Sequence, residues 1–295
     1  MKFFPLMQVA LSLLLFVVGC TSSDNSQGGS SPSSTTIENK GSDTIVNLAL
    51  AWAEEYQTQH PEVNISVTGG GTGTGMAALI NGTVDIANAS RQIKPEELIA
   101  AEANGYKPVE FKIALDAIAV IVHPDNPISE LTLPQLSDIF SGKINNWQEL
   151  GGEDRPIVRV SRETNSGTHV YFLEEVLRLG DDDSDIIFSA DTLLLPSSQG
   201  IISEVSQNPN TIGYDGLGYV TPEVKIIAVA SDANGPYVFP SAETVNTGDY
   251  PIARDLYMYT GNTPSGSIKD YLDWIYGAEA QAIVQEQGFV PVNSP

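Results

Sequence analysis

Arg162, Ser166, Gly167 and Thr168 stand close together in SRETNSGTHVYFLEEVL (Ser161 to Leu177), where a strand-like end gives way to a helical run. A planar guanidinium, two hydroxyls and the free N–H groups of a helix start are the groups that hold a tetrahedral oxyanion. The same residues admit a plainer account, in which Ser166 caps the helix and Arg162 lies on the surface. A third account makes Ser166 a nucleophile with His169 as base. That account is poorly served, because the G-x-S-x-G elbow is missing and His169 follows three residues later in the same helix.

Two more small-residue loops precede predicted helices. In GSDT (Gly41 to Thr44), Ser42 or Asp43 can cap the following helix, and the same N–H groups can bind an oxyanion. GGGTGTG (Gly69 to Gly75) fits neither a G-x-G-x-x-G register nor a Walker A loop. Its glycines and Thr72 exceed the needs of a tight turn, and they suit close approach of backbone N–H groups to a ligand. Two Ser-Arg pairs, Ser90-Arg91 and Ser161-Arg162, each end a predicted strand. This echo suggests two similar lobes that present loops to one cleft. His60, His123 and His169 lack metal-ligand spacing and predict no metal site. The acidic run Asp181 to Asp185 reads as a solvated turn, or as a weak metal site.

Strand and helix patterns alternate from Ile37 onward, which predicts an α/β protein. Val46, Ala49, Trp52, Ala53 and Tyr56 share one helical face, and Pro61 closes that segment. Asn64 to Thr68 alternates as a strand, and a helix is expected from Met76, after the glycine loop. Ile113 to Val122 is an apolar strand interrupted only by Asp116. Thr168 to Leu179 and Ile268 to Gln287 carry helical patterns, Gly213 to Val220 and Val224 to Val229 strand patterns. No short repeat appears.

The chain has 295 residues, 41% hydrophobic and 17% charged, enough for one large or two ordinary domains with a real core. Its 14 Lys+Arg against 37 Asp+Glu give a formal charge of −23. That excludes a polyanion such as nucleic acid as partner. A small anion would have to be held by short-range donors. Residues 1–19 read as a signal peptide: Lys2 leads, and the apolar run Leu11 to Val18 is too short to span a bilayer. Val17-Val18-Gly19-Cys20 looks like a lipobox, so Cys20, the single cysteine, is the expected lipid attachment point. Residues 20–36, rich in Ser, Gly and Pro, read as a lipid-anchored flexible tether.

GSDTIVNLALAWAEEY, GGGTGTGMAALINGTVDIANASR, SRETNSGTHVYF and IGYDGLGYV occur in that order. Together they resemble the substrate-binding proteins of bacterial ABC phosphate importers, the PstS family, over nearly the whole chain from Ile37. The resemblance implies a type II periplasmic-binding-protein fold, two α/β lobes joined by two crossover strands with the ligand between them. Residues 37–115 and 228–295 would form lobe I and 116–227 lobe II. The crossovers would fall near Leu115 to Ala117 and near Lys225 to Ala228. Phosphate would meet Ser42, Asp43, Thr44, Thr72, Ser90, Arg91, Arg162, Ser166, Gly167 and Thr168. The implied protein is an extracytoplasmic, lipid-anchored monomer that serves ABC permease subunits, without enzymatic activity, cofactor, metal or nucleic acid. Another tetrahedral oxyanion (tungstate, molybdate or sulfate) is the alternative ligand, and a secreted serine hydrolase using Ser166 the alternative class. One departure stands out. Better-known members end the third motif in an acidic residue that accepts the proton of bound phosphate, whereas Ser90-Arg91 ends it here. Asp43 is the nearest carboxylate by motif, either as that acceptor or as a helix cap.

Overall fold

The computed structural model describes residues 35–292. The expected signal peptide, Cys20 and nearly all of the expected tether lie outside the described residues. Thr35 and Thr36, assigned above to the tether, already pair in the first strand.

In chain order the strands are β1 (Thr35–Gly41), β2 (Val63–Thr68), β3 (Ile86–Ala89), β4 (Val109–Val122), β5 (Glu130–Thr132), β6 (Val158–Arg162), β7 (Leu193–Leu195), β8 (Thr211–Gly216), β9 (Lys225–Ile226), β10 (Ala228–Ala230), β11 (Ala253–Thr260) and β12 (Val290–Pro291). The helices are α1 (Val46–Gln59), α2 (Thr72–Ile80), α3 (Pro95–Ala103), α4 (Leu133–Phe140), α5 (Gly167–Phe172), α6 (Ser198–Gln207), α7 (Ala242–Asn246), α8 (Gly266–Ile275) and α9 (Ala278–Glu286). A 3-10 turn at Asp43–Ile45 leads into α1, and a π-helical turn at Leu173–Leu177 continues α5.

One sheet runs β2-β1-β3-β11-β4-β8-β6-β7, and β9 and β12 add to β4. Strand β1 is parallel to β2 and β3, and β11 is antiparallel to β3 and β4. The 14-residue β4 changes partner along its length. Up to Ala117 it pairs with β11, and from Ile118 with β8. Its first residues alternate in exposure, while Ile113 to Val122 is buried almost throughout. A strand covered on both faces has this near-continuous apolar character.

Two large apolar clusters flank the change of partner. The first gathers Ile45, Leu48, Trp52 and Tyr56 of the α1 segment with Ile37, Ile86, Leu256 and the α8–α9 face. The second gathers Val120, Leu136, Phe140, Trp147, Phe172 and Tyr214. Val229, Val245, Tyr250 and Ile252 belong to this second cluster too. At the expected return near Lys225 to Ala228, β9 pairs with Ile121 and Val122 of β4. Strand β10 pairs in parallel with β5, and the Ile118 N–H donates to the Ile252 carbonyl at 2.8 Å. At Ala253, β11 begins to pair with the first part of β4.

Helix α2 starts at Thr72, four residues before the expected Met76. Gly70 and Gly71 take φ of +117° and +91°, a turn that residues with a Cβ rarely adopt, and the helix follows at once. At Gly75 a Cβ would lie 2.6 Å from the Lys40 carbonyl oxygen, so the loop's last glycine lets α2 lie against β1. The expected Ile268 to Gln287 helix is broken at Tyr276-Gly277 into α8 and α9.

Candidate anion-binding site

The three small-residue loops meet. The Gly73 N–H donates to the Asn165 carbonyl at 2.9 Å and Asn165 Nδ2 donates to the Gly70 carbonyl at 3.0 Å, which ties the glycine loop to the NSGT loop. Thr44 Oγ1 lies 2.9 Å from Thr168 Oγ1, across 124 residues of sequence. Thr72 Oγ1 lies 3.3 Å from Ser90 Oγ and accepts from the Ser90 N–H at 3.1 Å. Gly167 fits between them, since a Cβ there would stand 2.4 Å from Ser90 Oγ and 2.5 Å from Thr72 Oγ1. Thr44, Thr72, Ser90 and Thr168 are all buried. The result is a buried floor of four hydroxyls, with Thr44, Thr72 and Thr168 at the starts of the α1, α2 and α5 segments and Ser90 at the end of β3. Hydroxyls rotate and both donate and accept, so they can turn their protons toward an anion.

The other expected residues fall in different places. Ser166 Oγ accepts from the Thr168 N–H at 3.2 Å and caps α5. His169, the base of the hydrolase alternative, turns instead to Ser161 Oγ at 3.0 Å from its Nδ1. It stacks on Phe188, and burial lowers its pKa. Ser42 is buried and donates its N–H to the Asn88 carbonyl. Neither Ser42 nor Asp43 caps the helix that follows. Asp43 Oδ2 accepts instead from Arg162 Nη2 at 3.2 Å and from the Ser198 N–H, the first of α6, at 3.0 Å.

Arg162 is buried with its fork engaged. Nη1 donates to Ser198 Oγ at 2.8 Å, and Nη2 to Asp43 and to the Pro196 carbonyl. Asp215 Oδ2 stands 3.7 Å away. Arg91 does not reach the hydroxyls. It forks onto Glu97 at 2.7 and 2.8 Å, six residues on. Burial alone would raise the Glu97 pKa, but the hydrogen bonds and charge of Arg91 outweigh it and the net shift is downward.

Sequence reasoning missed Arg254 of β11. Its Nη2 donates to Thr168 Oγ1 at 2.9 Å and to Thr44 Oγ1 at 3.4 Å, and its Nη1 to the Ser90 carbonyl at 3.0 Å. Nη2 also donates to Asp116 Oδ2 at 2.9 Å, from the residue directly opposite in β4. The Tyr171 ring lies under the guanidinium at 5.6 Å. Asp116 is visible in the sequence as the one break in an apolar strand, but nothing in the sequence names its partner. Its Oδ1 makes no hydrogen bond of ordinary geometry among the described residues, though the Leu217 N–H is near enough to favour the carboxylate. Burial pushes the Asp116 pKa up to about 6, with Arg254 pulling it down and Asp215 pushing it further up. Burial likewise raises Asp215 against the pull of Arg162. Two guanidiniums thus face three carboxylates, a formal sum of −1 if all are ionised.

An α/β sheet whose long strand passes from one core to another, with helix starts converging beside it, defines the periplasmic-binding-protein class. The sequence matches the PBP superfamily domain over residues 26–279. Within that class the chain belongs to the PstS family. It is 35% identical to the phosphate-binding protein PstS of Pseudomonas aeruginosa over 273 residues, 87% of this chain and 83% of the relative. It is 33% identical to PstS of Bacillus subtilis, over 92% of this chain and 86% of that one. A crystal structure from Clostridium perfringens, described as a phosphate ABC transporter substrate-binding protein with bound phosphate, superposes with a TM-score of 0.78 at 33% identity. That match covers 88% of this chain and 100% of the other.

Proposed function

We propose that this protein binds inorganic phosphate outside the cytoplasm, hands it to the membrane subunits of an ABC importer, and performs no chemistry on it. The observation that carries the reading is the meeting of the Thr44, Thr72, Ser90 and Thr168 hydroxyls around Gly167. Desolvated donors fixed in advance are worth most where water is excluded, so such a hydroxyl cluster attracts an anion without a net-positive protein. The relatives named for phosphate support the choice of ligand. The cap bond of Ser166 and the turn of His169 toward Ser161 support binding over hydrolysis.

Residues 35–117 with 253–292 are the first lobe and 118–252 the second, and they close on the ligand. Ser42, Asp43, Arg162 and Ser166 support the hydroxyl floor from behind. The mature chain is a monomer held to the membrane by a lipid on Cys20. No described helix is long and apolar enough to cross a membrane. Cys20→Ala should move the protein from the membrane fraction to the soluble one. Calorimetry on stripped protein with phosphate, sulfate, molybdate and tungstate tests the ligand. Phosphate should bind at least about tenfold more tightly than the others, a margin of about 1.4 kcal/mol. A site silent to phosphate overturns the reading.

A further inference from the structure

We infer that Arg254, and not Arg91, is the second guanidinium of the anion site, carried there by its pairing with Asp116 across the two strands that join the lobes. The inference rests on the phosphate-binding reading and assigns a contact within it. Three arginines are candidates. Arg91 is spent on Glu97. Both terminal nitrogens of Arg162 are engaged by Asp43, Ser198 and the Pro196 carbonyl. Arg254 alone among the three directs a terminal nitrogen at the hydroxyl floor, touching Thr44 from one lobe and Thr168 from the other.

Its placement is firm. Asp116 holds Nε and Nη2, the Ser90 carbonyl holds Nη1, and the Tyr171 ring supports the plane. A guanidinium with 6% of its residue surface exposed would be costly to bury alone. Asp116, fully buried at the register position opposite, compensates it. An oxyanion that displaces the Thr44 and Thr168 hydroxyls from Nη2 inherits a charge-assisted donor already desolvated and oriented. Because Asp116 lies on β4 and Arg254 on β11, the contact sits where the lobes are joined, and it reads the anion together with hydroxyls from each.

The test is calorimetric titration of inorganic phosphate into the stripped mature protein and its variants. Arg254→Gln should weaken phosphate at least about tenfold. Because that change leaves Asp116 buried without its partner, the double variant Arg254→Gln/Asp116→Asn is measured as well, since removing both charges of a buried pair spares the fold. It should melt near the wild type and show the same loss. Arg254→Lys keeps the charge without the fork and should fall between. Arg91→Gln should stay within about twofold of the wild type. A folded double variant with wild-type affinity overturns the inference, and so does an Arg91→Gln loss equal to that of Arg254→Gln. In either case a wild type that binds phosphate leaves the proposed function standing. A wild type that does not bind it removes both.

Discussion

Asp43 and Arg162 stand 119 residues apart in the chain and 3.2 Å apart in space. Their contact joins the turn that opens α1 to the strand β6 and, through the Ser198 N–H, to the start of α6. Tyr219 adds a third tie by donating to the Asp43 carbonyl at 2.7 Å. The carboxylate is thus a fastening between the two sides of the site, and its engaged oxygen faces protein donors.

Asp43→Asn follows from this geometry. The amide can still accept one hydrogen bond but carries no charge for Arg162. Stability should fall by about 1.5–3 kcal/mol, the range for a hydrogen bond to a charged group. The phosphate-to-sulfate affinity ratio should stay within about twofold of the wild type. Urea melts and paired titrations at one pH and ionic strength decide it. A ratio that shifts toward sulfate would put the carboxylate on the ligand's proton instead.

Gly167→Ala probes the hydroxyl floor. The added methyl would need to push Ser90 and Thr72 apart, from 2.4 and 2.5 Å, in a region with no exposed side to yield toward. Overpacking of this kind costs about 1–3 kcal/mol in stability. The same displacement breaks the Thr72–Ser90 contact, so phosphate affinity should drop by at least about tenfold, more than the melting shift alone implies. An alanine variant with normal affinity would move the ligand away from Gly167.

The alternation of elements, the α1 face and the three small-residue loops were legible because they rest on local periodicity and local loop chemistry. Of the predicted α1 face, Ala49, Trp52, Ala53 and Tyr56 are buried and Val46, at the first turn, is half-buried. What escaped depends on contacts between distant segments. Asp116 and Arg254 are 138 residues apart, and nothing near Arg254 in IARDLYMY marks it as different from any arginine in a strand. Arg91 presents the opposite case. Its motif position suggested a site residue, but a carboxylate six residues on, at the start of α3, captures its fork.

Phosphate should raise the melting temperature. Ligand at a hundredfold excess over its dissociation constant stabilises the folded state by about 2.7 kcal/mol. For lobes of this size that corresponds to a rise of about 5–10 °C. Differential scanning calorimetry of stripped protein with and without millimolar phosphate reads it directly. The rise should shrink in Gly167→Ala and vanish with loss of binding, and an unchanged wild-type melt would contradict closure around phosphate.

The pH dependence of stability should carry the mark of Asp116. Its folded pKa is pushed up to about 6 by burial, with Arg254 opposing and Asp215 reinforcing the shift. In the unfolded chain an aspartate titrates near about 3.9. A raised pKa means that the folded state holds the proton more tightly than the unfolded state. The proton-linked stabilisation is therefore complete below about pH 4 and lost as pH rises through about 6. Asp116→Asn cannot titrate and lacks this contribution. Other groups, such as Glu97 with its lowered pKa, run in the opposite direction but do so in both proteins. The useful quantity is thus the difference between wild type and variant, from urea melts of the phosphate-free proteins at pH 4, 5, 6 and 7. It should move in favour of the wild type as the pH falls, by an amount on the order of 2–3 kcal/mol over the whole window. A difference that does not vary with pH would mean that Asp116 titrates alike in the folded and unfolded chain, and one that moves against the wild type as the pH falls would mean that the Arg254 charge outweighs burial.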